Sequence, residues 1–440
     1  MLNKTIRLIL ALVGWLFIAA CGGVAPVEVD EPPALAQTEP TPVPLVQEAA
    51  TPISPVATPT PLPNPTPTTS YEPPPICQFE PIPGQPPTPE SQLDQYIFSE
   101  PQSILTYEVG INIISWLPDN KRLFITRRLA DQSIQNIELF NIQTGKITQY
   151  GQGSLIGTLN GPNKPVWLDV GQEAAFVDFG PDGEYILRIG RENNKSDEVL
   201  TALASTYLAA GPNAQKVTFF NKLNPTRPQF YNPALSKTES INIIGPNPTE
   251  YDDTDYLSPY QLAWHPDKKR FVYHNNRALY LANTHDGTVC EVDWGRDGGS
   301  KRWVLSANWS PDGRYLAAFT TIDTPPVPFI DLIVTNLATG VQQTLDIEGG
   351  GDQYAMAWAP NSRDLLVIAQ NPEKNDHHNL YIIDTNTGRT RQILTEYTFI
   401  FTGFSGVAWT LDGKTIALRC PSPDETNISK ELCIIAVEGE

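Results

Sequence analysis

The chain has 440 residues, 42 of them proline, and a formal charge of −19. Length alone admits several ordinary domains or one large repeat array. Beyond Asp94 there are 28 basic against 40 acidic residues, a net −12, which argues against nucleic acid as a partner.

Lys4 and Arg7 form a positive start to an apolar run from Leu8 to Ala20, too short for a comfortable transmembrane helix and typical of an export signal. The run ends in Ile18-Ala19-Ala20-Cys21-Gly22, which resembles the lipobox of bacterial lipoproteins. That resemblance implies lipidation of Cys21 as the mature N-terminus. It also implies an extracytoplasmic protein that meets the membrane only through its lipid anchor. Residues 1–20 are then the signal peptide.

Residues 21–95 read as a disordered linker. Half of all the prolines fall between Cys21 and Glu90, interleaved with threonine as in Ala57-Thr58-Pro59-Thr60-Pro61. Such a stretch builds no core and tends to extended polyproline II, a semi-rigid spacer. No Lys or Arg occurs between Arg7 and Lys121, so it is not a polybasic tether.

From residue 96 onward the chain repeats. Trp309-Ser310-Pro311-Asp312-Gly313-Arg314 leads into Tyr315-Leu316-Ala317-Ala318-Phe319, and related units start at Trp116, Trp264, Trp358 and Trp409. Degenerate copies stand at Trp167 and Ala210. The anchors are 43 to 54 residues apart, about one propeller blade. Proline presets φ in a tight turn, Asp or Asn bonds to the local backbone, and glycine accepts a positive φ. The unit is therefore a hairpin between first and second strands, with tryptophan packing between neighbouring blades. Third strands such as Leu380-Tyr381-Ile382-Ile383-Asp384 follow, then a second turn ending in glycine, as at Thr387-Gly388. The pattern resembles the TolB-type, WD-like propeller repeat. It predicts an all-β fold, a seven-bladed β-propeller of four-stranded antiparallel blades over residues 96–440.

The last unit stops after its third strand, Leu432 to Val437, while Ser103-Ile104-Leu105-Thr106 matches the fourth strand Gln392-Ile393-Leu394-Thr395. Residues 102–108 are thus expected to complete the last blade and close the ring. With Cys21 lipidated, Cys420 and Cys433 flank a polar loop between two strands and are expected to form a disulfide in an oxidising compartment. That leaves Cys77 and Cys290 to join linker to propeller, a pairing the sequence leaves open.

In such a ring the fourth-to-first and second-to-third strand loops surround one mouth of the central channel, and function normally lives on loops. Three segments stand out. Asp252, Asp253, Asp255 and Tyr256 form an acidic loop with hard oxygens suited to Ca²⁺, although no complete calcium-loop spacing is present. Trp294 and Arg296 with Arg302 and Trp303 pair guanidinium with indole, suited to a carboxylate or a sugar ring. Glu396 to Phe401 is aromatic, as fits either a partner surface or inter-blade core. His377 and His378 are adjacent, a poor chelate, and read as surface residues.

The repeated Asp119, Asp267, Asp312 and Asp412 read as turn formers rather than catalytic acids. Gly403-Phe404-Ser405-Gly406-Val407 breaks the hydrolase elbow at its last position, and no metalloprotease, phosphate-loop or dinucleotide motif is present. No catalytic residue and no cofactor is expected. The leading expectation is a surface-anchored binding or scaffolding module for an envelope or extracellular protein, a peptide or a glycan. Its alternatives are a propeller hydrolase or lyase with carboxylates at the channel mouth, and a ligand sensor for an envelope complex.

Overall fold

The repeated turns set the architecture. In the computed structural model, which describes residues 75–79, 87, 89–128, 134–154, 164–204, 207–222, 224–243, 262–275, 278–293, 302–322, 330–345, 355–371, 373–400, 406–422 and 429–438, the first turns of blades one, four, five, six and seven share a side-chain oxygen that accepts from the backbone two or three residues on. Asp119 Oδ1 accepts from the backbone N–H groups of Lys121 and Arg122, and Asp267 Oδ1 from those of Lys269 and Arg270. Asn361 Oδ1 does the same for Arg363 and Asp364. Asp312 and Asp412 accept from Arg314 and Lys414. Positive φ falls at Gly313 (74°) and Gly413 (78°), where glycine carries no penalty, and at Asn120, Lys268 and Ser362, where a side chain tolerates it. The repeated aspartates make turns.

Seven antiparallel sheets result. Blade one holds Gly110–Trp116, Arg122–Arg128, Ile134–Asn141 and Ile147–Ser154; blade two Val166–Leu168, Glu173–Phe179, Tyr185–Arg191 and Lys195–Leu200. Blade three holds Ala209–Ala210, Val217–Asn221, Asn224–Asn232 and Lys237–Ser240; blade four Leu262–Trp264, Arg270–Asn275, Ala278–Asn283 and Val289–Val292. Blade five holds Arg302–Trp309, Tyr315–Ile322, Ile330–Asn336 and Gln342–Leu345; blade six Ala355–Trp358, Asp364–Asn371, Lys374–Asp384 and Thr390–Ile393. Blade seven has Ala408–Trp409, Thr415–Arg419 and Glu431–Glu438, completed from the N-terminal side.

The middle strands are buried on both faces, so successive residues serve two different cores. Leu365 and Val367 pack toward blade five, while Leu366 and Ile368 pack toward blade seven. There are seven such inter-blade clusters, the one between blades seven and one including Ala408, Ala417, Ile111, Ile113 and Trp116. An open row of seven blades would have six. The tryptophans add a ladder of bonds at the inner ring. Trp116 Nε1 donates to Ala408 O at 3.1 Å, Trp309 to Ala263 O at 2.9 Å and Trp358 to Asn308 O at 3.3 Å. Each acceptor immediately precedes the tryptophan of the previous blade. Trp409 departs from the ladder and bonds its own turn at Gly413 O.

Closure is made by Gln102–Thr106, which pairs with Glu431–Glu438 in the register Ser103↔Cys433 and Thr106↔Glu431. The edge begins earlier than residue 102, because Ile97–Phe98 also pairs with that strand, Ile97 opposite Glu438. Ser99 bridges the interruption: its N–H donates to Ala436 O, and its Oγ accepts from Ala436 N.

The chain also joins the propeller before residue 96. The compact unit begins at Ser70. Cys77 is disulfide-bonded to Cys290 on the outer strand of blade four, and Cys420 to Cys433 within blade seven. Cys77 N donates to Glu291 O, and Glu291 N to Pro75 O, adding a short parallel bridge at that edge. Phe79 lies against Gly340 in the outer turn of blade five. Residues 89–96 then dock on blade six, where Leu93 and Tyr96 enter the core between blades six and seven. The described residues of 75–79 and 89–106 thus act as a strap, meeting blades four, five, six and seven in turn. Proline-rich composition hid this, since the strap is held by partners supplied from the propeller rather than by its own periodicity.

Candidate functional site: the central channel and its loop face

The two ends of the ring differ. On one face the first-to-second and third-to-fourth strand turns are short and closed by hydrogen bonds. Gly145 N donates to Asn141 O, Gly287 N to Asn283 O, Gly340 N to Asn336 O and Gly388 N to Asp384 O. On the other face emerge the fourth-to-first and second-to-third connections. Of the stretch between the strands ending at Ser240 and beginning at Leu262, residues 244–261 lie outside the described residues.

Between the faces lies a channel of about 500 Å³, lined from all seven blades. The innermost strands supply Asn112 and Ser115 from blade one, Ser306 and Asn308 from blade five and Met356 from blade six. Lys164, just before the first strand of blade two, is the one charged side chain on this lining among the described residues. Its side chain is open to solvent in the channel, yet the surrounding protein weakens hydration of the ammonium and lowers its pKa from the ordinary lysine value. Asn112 has a structural share as well, since its Oδ1 accepts from Gly406 N at 3.1 Å across the seam between blades seven and one.

That seam is tight. A Cβ on Gly406 would lie 1.9 Å from Ile113 O, so only glycine fits. Near the mouth, Phe399 and Ile400 are buried, Phe399 in the core between blades six and seven with Tyr397 half-buried against it, while Glu396 is exposed. Phe401 lies outside the described residues. His378 corrects the surface expectation: it is 5% exposed in the third strand of blade six, and its backbone N–H donates to Phe399 O at 2.8 Å in an antiparallel bridge. Burial disfavours its cation and holds its pKa down at about 4, against the smaller raising effect of the Phe399 backbone. Its neighbour His377 is only half-buried, because successive residues of a strand face opposite ways.

Asp252, Asp253, Asp255, Tyr256, Trp294 and Arg296 lie outside the described residues, as does Cys21. Arg302 and Trp303 open the innermost strand of blade five at its loop-face end, paired with Ile322 and Thr321. Among the described residues no group of three or more His, Cys, Asp or Glu side chains converges as for a metal ion. Sequence reasoning missed the channel lining. A signal was present: Ser306 and Asn308 alternate with Ala307 and Trp309 on a strand whose neighbours are apolar, which marks one side as wet. Lys164 is the only basic residue between Lys146 and Arg188, but nothing in its local sequence points it inward.

No protein-family model matches the sequence, and no curated protein matches it. Solved structures similar to it include a hydrazine synthase of Kuenenia stuttgartiensis, at 13% identity and a TM-score of 0.47, over 78% of this chain and 98% of that one. An oligogalacturonate lyase in complex with manganese is 11% identical, TM-score 0.47, over 79% and 98%. The β-propeller domain of Myceliophteria thermophila Cps50 (Swd1) is 12% identical, TM-score 0.47, over 77% and 100%. These are likenesses of fold alone and assign no activity. The seven antiparallel sheets make the chain a seven-bladed β-propeller.

Proposed function

We propose that this chain is an extracytoplasmic binding module of TolB type, carried on a Pro/Thr-rich stalk and anchored through lipid on Cys21. In this reading its loop face and channel take a protein, peptide or glycan ligand that presents an acidic group to Lys164. The observation that carries the reading is the channel. It is a cavity of about 500 Å³ with a single ammonium among amide, hydroxyl and apolar groups, inside a chain of formal charge −19. A pocket with a few convergent polar groups is the ordinary form of a ligand site. An ammonium that has lost part of its hydration gains from a carboxylate, at about 1.5–3 kcal/mol for a charge-assisted hydrogen bond.

The lyase or hydrolase reading requires a pair of carboxylates at the mouth, and these would have to come from connections such as that carrying Asp252, Asp253 and Asp255. The test is a crosslinking capture from intact cells, with residues 249–256, residues 294–303 and Lys164→Ala altered in separate variants. The binding reading expects partner recovery to fall in the Lys164→Ala variant and in at least one loop variant. Unchanged recovery in all three removes it.

A further inference from the structure

We propose that the Cys77–Cys290 disulfide is a load-bearing clamp that keeps the ring closed when the chain is pulled from its N-terminal side. The strand that closes the ring is also the part of the propeller nearest the linker. Ile97–Phe98 and Gln102–Thr106 pair with the edge strand Glu431–Glu438, and Phe98, Ile104 and Leu105 pack against the neighbouring cores without entering another sheet. Tension arriving along the chain at Ile97 would act at one end of that edge and break its pairs one after another. The seam between blades seven and one would then open, because Tyr107, Ile104 and Leu105 belong to its core.

The attachments between Cys77 and Ile97 are noncovalent: Phe79 against Gly340, Asp364 accepting from Ser91 and Gln92, and Arg391 donating to Leu93 O and Tyr96 O. Each yields separately. The disulfide changes the path. Cys290 sits in Val289–Val292, paired along the body of blade four and remote from the seam. Backbone bonds at Pro75, Cys77 and Glu291 fix the same point. Tension from upstream therefore passes through sulfur into blade four, Cys77 does not move, and the closing strand carries no load. Once the bond is reduced, the same tension runs along the strap into the closing strand. The setting, though not the mechanics, rests on the tethered reading proposed above.

Single-molecule pulling of the full chain tests the clamp. One handle sits at the N-terminus and the other at position 235 through a non-canonical residue, since Leu235 is exposed in a turn of blade three. The C420S/C433S variant leaves one disulfide for the reductant to act on. With that bond intact, no extension precedes the unfolding of blades. After reduction, an early low-force step should appear, about 10 nm for roughly 30 freed residues. The early step seen with the disulfide intact, or missing after reduction, overturns the proposal. If C420S/C433S does not fold, C77S/C290S compared with the unaltered chain, both without reductant, reads the same step. Loss of the tether would register separately, as a chain that stays out of the detergent phase with Cys21 unaltered.

Discussion

Asp364 is the hub on which the strap docks, and its replacement gives a sharply local prediction. The carboxylate is wholly buried at the start of the second strand of blade six. Oδ1 accepts from Ser91 Oγ at 2.5 Å; Oδ2 accepts from Gln92 N at 2.9 Å, Tyr96 OH at 3.1 Å and Asn361 Nδ2 at 2.7 Å. Three of the four donors belong to the strap. Burial, followed by the Asp364 charge, pushes the Tyr96 phenol pKa upward, so this hydroxyl keeps its proton and donates. In Asp364→Ala the Gln92 N–H and the Tyr96 hydroxyl lose a charged acceptor and remain largely enclosed. Each such orphan costs about 1–3 kcal/mol, and the contributions do not simply add. A loss of about 3–5 kcal/mol is expected. Asp364→Asn should recover little of it, because an amide nitrogen would face donors. Hydrogen exchange followed by peptide is the assay. Amides of 91–106 should lose protection, while those of Leu365 to Ile368, buried in the middle strand, should keep it. A variant within about 1 kcal/mol of the parent by chemical denaturation, with the strap still protected, would refute the hub.

Other positions give shorter tests. Gly406→Ala should destabilise by about 1–3 kcal/mol or more, because its Cβ would meet the backbone oxygen of Ile113, which cannot rotate away; thermal unfolding checks this. His378 has a folded pKa of about 4, below its ordinary 6.5. The folded state therefore binds fewer protons, and stability should fall as pH drops from about 6.5 toward 4, with a slope of up to about 1.4 kcal/mol per pH unit. His378→Gln should flatten that slope in denaturation curves taken across the window, and an unchanged slope would move the effect elsewhere. Lys164→Met should leave stability nearly unchanged, since the side chain is open to solvent, while weakening an acidic ligand about 10- to 100-fold in a binding titration. Equal affinity in the two proteins would take Lys164 out of the site.

The repeat was legible because its turns demand particular atoms: a side-chain oxygen at Asp119, Asp267, Asp312, Asn361 and Asp412, and a residue that accepts positive φ one or two places on. Those demands recur in five of the seven blades, and the units at Trp167 and Ala210, which lack the full motif, are placed by their spacing and pair first strand to second like the others. The closing strand was legible by analogy with Gln392-Ile393-Leu394-Thr395. The strap was not. Its anchors Asp364, Arg389 and Arg391 lie about 270 to 300 residues away in sequence, and it has no period of its own. His378 was misread because a strand pattern gives alternation but not which side a later segment, here Phe399, will cover. The channel was only half legible. The alternation at Ser306 and Asn308 was a signal that went unread, and the inward placement of Lys164 depends on ring geometry rather than on local sequence.

The central claim is that ligands meet this propeller at the channel and its loop face. The most direct measurement places a photoreactive residue at position 164 or, separately, at position 235 on the opposite turn face, and irradiates intact cells. The account predicts a defined adduct from position 164 and none from position 235. Adducts from position 235 alone, or the same set from both positions, would contradict it.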